Sequence, residues 1–147
     1  CRFMVTRSEM KGLQGWFLNR LGCFPIDQGR PSLTALRYAV DLLISRQQLV
    51  VFPEGKINRF GEPVKLKKGL IRLAQLASNK GIEIKIVPVG LAYSQVIPRF
   101  LGSASICFSK PIIISKDFNQ TTNDFNIELY KSMRSAEQSA LLAVGRR

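Results

Sequence analysis

Apolar residues in this chain recur with two alternating periods, one near two residues and one near 3.6, and the switches between them mark the elements. Residues 1–7 read as a short strand with Phe3 and Val5 on one face. Met10, Leu13, Phe17 and Leu21 follow at helical spacing and predict a helix over residues 9–21. Gly12 and Gly15 weaken it, and Trp16 and Leu18 widen its apolar surface beyond one face. Residues 22–32, GCFPIDQGRPS, make a turn-rich connection that begins with strand formers. Pro31 or Ser32 opens the next helix, because proline suits a first turn and serine caps well. Leu33, Leu36, Val40 and Leu43 give its inward stripe, and it ends near Arg46, where a cation suits the negative end of the dipole. Leu49–Phe52 is apolar throughout, which predicts a strand covered on both faces, as in a parallel sheet. A long loop runs from Pro53 to Lys65. Leu66, Leu70, Leu73, Ala74 and Ala77 then mark a helix that stops before Gly81. Ile82, Ile84 and Ile86 alternate with Glu83 and Lys85 in a strand leading into VPVG, residues 87–90. ASICF (104–108) and IIIS (112–115) read as two short strands. Thr121 or Asn123 caps a final helix with Phe125, Leu129, Met133 and Ala136 inward.

Strands alternating with helices are the α/β pattern. The expected fold is a mixed, mostly parallel sheet flanked by helices, in one domain over residues 1–147. Hydrophobic residues make up 46% of the chain, enough to build a core. The 22 Lys and Arg against 10 Asp and Glu give a net charge of +12, which favours an anionic partner such as phosphate, acidic lipid or nucleic acid. Nucleic acid fits worst, because the basic residues are scattered and no zinc spacing, helix-turn-helix signal or aromatic RNA-binding motif occurs. Three cysteines without paired spacing argue against a disulfide framework and for a reducing compartment. No window reaches the ~18 consecutive apolar residues of a transmembrane helix. There is no histidine.

Two stretches combine turn chemistry with charge. Phe52-Pro53-Glu54-Gly55 closes an apolar strand, with Lys56 and Arg59 just beyond. In α/β sheets ligands sit at the carboxyl ends of the strands, so a carboxylate held there beside a proline is a candidate site. The same residues also read as a tight turn, with Pro53 stopping the strand, Gly55 at positive φ and Glu54 solvated. Ile26-Asp27-Gln28-Gly29-Arg30-Pro31 is the second stretch. An arginine at a helix N-terminus meets phosphate with its guanidinium and with free backbone N–H groups; its plainer reading is a helix entry with a surface arginine. Lys65, Lys67 and Lys68 form a basic cluster that reads as a solvated face but follows the Pro-Glu-Gly loop closely enough to point at the same cleft.

GCFPID at 22–27, VFPEG at 51–55 and IVPVG at 86–90 stand in the order and approximate spacing of motifs in the phospholipid/glycerol acyltransferases. The chain resembles that family, in its 1-acyl-glycerol-3-phosphate acyltransferase type, over roughly its whole length. The resemblance implies transfer of an acyl group from an acyl-CoA or acyl-carrier-protein thioester to lysophosphatidate, giving phosphatidate, with no further cofactor. It implies a peripheral protein on the cytoplasmic side of a membrane, held to an anionic surface. The substrate-binding residues it points to are Asp27, Gln28, Arg30, Phe52, Pro53, Glu54, Gly55, Lys56 and Arg59. Gln28 stands where the family commonly has the phosphate-gripping arginine, and Arg30 or one of Lys56 and Arg59 supplies the missing cation. Glu54 orients substrate hydroxyls. Trp16, Phe17 and Leu18 are the candidates for the rim of an acyl groove.

The family's first block, His-x4-Asp, is absent here. In it the imidazole takes the hydroxyl proton and the aspartate holds the tautomer, so the chain as it stands is expected to be inactive. A missing N-terminal segment is one explanation. The alternative is a non-catalytic anionic-lipid-binding protein of the same fold.

Overall fold

The computed structural model describes residues 1–27, 32–55, 66–118 and 120–146. Seven strands and four α-helices occur among them, in the α/β order that the periodicity predicts. Residues 28–31 of the predicted 22–32 connection and 56–65 of the predicted 53–65 loop lie outside the described residues, and with them Gln28, Arg30, Lys56, Arg59 and Lys65. The chain divides into two compact units.

The first unit is built on a parallel sheet. β1 (Arg2–Thr6) lies in the middle, β2 (Cys23–Ile26) on one side and β3 (Leu49–Val50) on the other. The register sets Phe3 beside Cys23 and Thr6 beside Ile26, and on the other flank Arg2 beside Leu49 and Phe3 beside Val50. A turn of 3-10 helix, Arg7–Glu9, leads from β1 into α1 (Gly12–Arg20). α2 (Leu33–Ile44) and α3 (Gly69–Asn79) complete the unit. Ser32 caps α2, its Oγ accepting from the Ala35 N–H at 3.2 Å, so the predicted helix start holds. Met4, Leu36, Ala39, Val40 and Leu73 form the core, with Phe24, Ile26, Leu43, Leu49, Val51 and Leu70 packed on it. Ser78 ties α3 to the segment 115–118. Its Oγ donates to the Lys116 carbonyl at 2.6 Å and accepts from the Phe118 N–H at 3.2 Å.

Several expected faces turn out otherwise. Met4, on the face of β1 opposite to Phe3 and Val5, is the strand's core residue, because α2 and α3 pack there. Leu33 is exposed; it lies in the first turn of α2, and the stripe that reaches the core is Leu36, Ala39, Val40 and Leu42. β3 is two residues long and sits at the sheet edge among the described residues, so Phe52 stands outside the sheet at 64% exposure. In α1 the apolar stripe is exposed at Leu13, Trp16, Phe17 and, just beyond the helix, Leu21. The buried position of that helix is Gly15, whose missing side chain lets the backbone lie against Met10: an added Cβ would stand 2.3 Å from the Met10 carbonyl oxygen. Arg20 covers Trp16 from outside, its guanidinium carbon 4.4 Å from the ring centroid.

The second unit pairs a hairpin with a long helix. β5 (Val89–Tyr93) and β6 (Ala104–Phe108) are antiparallel, Val89 opposite Phe108 and Tyr93 opposite Ala104. β4 (Ile84–Ile86) leads into this unit and bonds to β7 (Ile112–Ile114). α4 (Thr122–Ala143) is capped by Thr121, which accepts from the Asp124 N–H at 3.2 Å. Phe125, Leu129, Ala136 and Ala140 are its buried residues. The helix lies directly on Gly90, the last residue of VPVG: an added Cβ would fall 2.2 Å from the backbone of Ala136 and Glu137. Gly90 and Ala92 face inward, and Val89, Leu91 and Tyr93 alternate with them on the exposed face. Among the described residues no helix is long and apolar enough to cross a membrane.

Candidate functional site

A parallel sheet sends all its strands out at one edge, so the residues that follow β1, β2 and β3 gather at the carboxyl edge of the first unit. Arg7 follows β1, Asp27 follows β2, and Phe52-Pro53-Glu54-Gly55 follows shortly after β3. Because β1 is central, Arg7 emerges between the other two.

Arg7 and Asp27 are twenty positions apart in sequence and meet as a fork. The guanidinium donates through Nε to Oδ1 at 2.9 Å and through Nη2 to Oδ2 at 3.4 Å. Pairing Thr6 with Ile26 places the two next residues side by side, so the strand register itself builds this contact. The hydrogen bond that Arg7 donates to Asp27, and then the charge of that carboxylate, raise the proton affinity of Arg7 beyond the ordinary arginine range. The cation therefore persists at every pH a folded protein meets. The pair uses two of the five N–H donors of the guanidinium, leaving donors over for an anion.

Arg7 also lines a cleft of about 400 Å³ with Phe24, Pro25, Ser32, Thr34, Ala35 and Tyr38. One wall is polar and belongs to the first turn of α2, where the helix dipole is positive. The other is aromatic: Phe24 and Tyr38 meet edge to face, centroids 5.1 Å apart at 82°. Cation, helix start and apolar wall thus share one cleft.

The Pro-Glu-Gly stretch has the geometry of a turn. The Gly55 N–H donates to the Phe52 carbonyl at 3.1 Å, and Gly55 has φ +67. The Lys67 N–H donates to the Pro53 carbonyl at 2.8 Å. The Lys67 side chain lies over Gly55, where a methyl group would meet its Cε at 3.1 Å. Pro53, Glu54 and Gly55 are half-buried. Lys67 is thus the described cation at this turn, drawn from the basic cluster that the sequence marks.

Asp27, Phe52, Pro53, Glu54 and Gly55 therefore lie at the carboxyl edge of one sheet. Sequence reasoning missed Arg7, Phe24 and Tyr38. Arg7 had a signal: it is the last residue of a predicted strand, and ligands in α/β sheets sit at that end. Phe24 and Tyr38 had none, since their contact is made by packing α2 on β2.

The family model described as Acyltransferase matches residues 1–92. The chain is also similar to a protein of Streptococcus pneumoniae named 1-acyl-sn-glycerol-3-phosphate acyltransferase, 34% identical over 104 residues. That match covers 69% of this chain and 36% of the relative, so it spans about a third of the relative's length. No solved structure matches. The motifs at residues 22–27, 51–55 and 86–90, the α/β fold and a family match that takes in the whole carboxyl edge of the first sheet agree, and the chain belongs to the acyltransferase family.

Proposed function

We propose that this chain carries the acceptor-binding part of a glycerophospholipid acyltransferase, acting on lysophosphatidate with an acyl-CoA or acyl-carrier-protein thioester as donor. The observation that carries the reading is the Arg7–Asp27 fork beside the first turn of α2, in a cleft with an aromatic wall. A phosphate monoester meets the guanidinium and the positive helix end, while the start of an acyl chain lies along Phe24 and Tyr38. Asp27 positions the arginine. Arg30 and one of Lys56 and Arg59 add charge for the same phosphate, and Glu54, fixed by its turn, orients the acceptor hydroxyl.

In the reaction the acceptor oxygen attacks the thioester carbonyl, the thiol leaves, and the hydroxyl proton goes with it. The family uses imidazole for that proton, and this chain has none. Its own residues bind and orient. The excess of cations supports a peripheral position at the anionic, cytoplasmic face of a membrane, each cation near the surface contributing about 1 kcal/mol. No cofactor beyond the thioester is needed. A non-catalytic lipid-binding role for the same cleft is the second reading, favoured by the absence of histidine.

The test is titration of the chain with lysophosphatidate and with lysophosphatidylcholine, whose phosphate is masked by a choline. Arg7→Ala should weaken lysophosphatidate binding about ten- to a hundred-fold, the value of a charge-assisted pair. It should leave lysophosphatidylcholine nearly unchanged. The exposed pair carries little folding energy, so the melting midpoint should hold. Equal lysophosphatidate affinity in Arg7→Ala would remove the fork from the site.

A further inference from the structure

The loop joining β5 to β6 holds out apolar side chains with nothing against them. Ile97 is 76% exposed, Phe100 94% and Leu101 91%, with Val96 alongside. The loop is nonetheless tied at its base. The Ser94 N–H donates to the Ser103 carbonyl at 2.9 Å, and the Arg146 guanidinium to the Tyr93 carbonyl at 3.0 Å. At its end the Gly102 N–H donates to the Arg99 carbonyl at 3.0 Å, a turn with Phe100 and Leu101 at its centre. Leu101 has φ +64, a conformation that glycine or asparagine adopts without strain. A branched side chain at that position is locally unfavourable, yet it leaves one more large apolar group exposed in this loop. Strain of this kind gathers where the chain has a use for it.

We propose that this hairpin tip, Val96–Leu101, is a wedge that enters the apolar layer of an anionic lipid surface, with Arg99 reaching back to the phosphates. The shape suits a donor of side chains: the hollow at the base of the loop, lined by Tyr93, Pro98 and Gly102 among others, is only about 80 Å³. The charge suits lipid. No Asp or Glu occurs between Lys85 and Lys116, while Arg99 lies within the tip and Lys85 and Lys110 are exposed. Arginine flanked by apolar residues keeps its head in the phosphate layer while its neighbours are buried. The wedge rests on the membrane partner of the reading above, but not on the reaction or on the Arg7 cleft.

The experiment co-sediments the whole chain with vesicles of phosphatidylcholine alone and of an even mixture with phosphatidylglycerol. Ile97→Ser combined with Phe100→Ser should lower partitioning into the anionic vesicles about a hundredfold, from the apolar surface left in water. Its melting midpoint should hold, since neither side chain is packed. In a Trp16→Phe background, Phe100→Trp should shift its emission to the blue on binding and be quenched by lipids brominated in the acyl chain. If the chain binds anionic vesicles but Trp at 100 stays accessible to water, or the double variant binds equally well, the wedge is wrong and the membrane reading stands. If the chain binds no vesicles, both fall. If the emission shifts without vesicles as the chain self-associates, the tip docks on a second copy and the proposal is overturned.

Discussion

Gly90→Ala should unfold the second unit at a markedly lower temperature, although it adds a single methyl group. The new Cβ would stand 2.2 Å from the Ala136 carbonyl carbon and the Glu137 nitrogen and 2.3 Å from the Ala136 oxygen. All three are backbone atoms of α4, so no side chain can swing away. Ordinary contact requires the helix to withdraw by more than about 1 Å, and a gap of that size forfeits a quarter to a half of each dispersion contact. Phe125, Leu129, Ala136 and Ala140 are all buried on this helix, so the loss is shared along it. Overpacking costs about 1–3 kcal/mol, and blocking by backbone puts this case at the upper end, near 3. For a chain of this size that lowers the melting midpoint by about 6–12 °C. Scanning calorimetry on the purified variant measures it. Gly69→Ala is the control: it starts α3, nothing lies within 4 Å of its added Cβ, and the midpoint should stay or rise slightly. A Gly90→Ala midpoint within about 2 °C of the parent, against the fall expected from overpacking, would mean that α4 does not rest on the strand and that VPVG owes its glycine to something else.

Two further outcomes are expected. Ser78→Ala removes the hydroxyl that bonds both the Lys116 carbonyl and the Phe118 N–H, and should cost about 1–3 kcal/mol in urea denaturation; a loss under about 0.5 would show those groups finding other partners. Incubated with acyl-CoA and lysophosphatidate, the chain as it stands should release no thiol above background, because general base catalysis contributes about 10²–10⁴-fold and no imidazole is present; turnover would identify another base.

The order of elements was legible because periodicity is local. Alternation at Ile82, Ile84 and Ile86, helical spacing at Leu36 and Val40, and the caps at Ser32 and Thr121 can each be read within a few residues, and each stands in the structure. The same local reading put Pro-Glu-Gly at a strand end and Asp27 in a connection leading to a helix start; the parallel sheet brings the residues after its strands to one edge. Sequence alone therefore determined the α/β class and the family motifs. Periodicity says which residues share a face, but not whether anything arrives to cover it. So Leu13 and Phe17 in their helical stripe, and Phe52 at the end of its apolar run, are exposed. The contacts that only the tertiary structure decided join distant segments: Arg7 to Asp27 through the β1–β2 register, Phe24 to Tyr38 by helix packing, Lys67 over Gly55 beside its bond to Pro53, and Gly90 to α4 by the lack of a side chain. Each depends on where a second segment lies, a quantity that no window of local sequence contains.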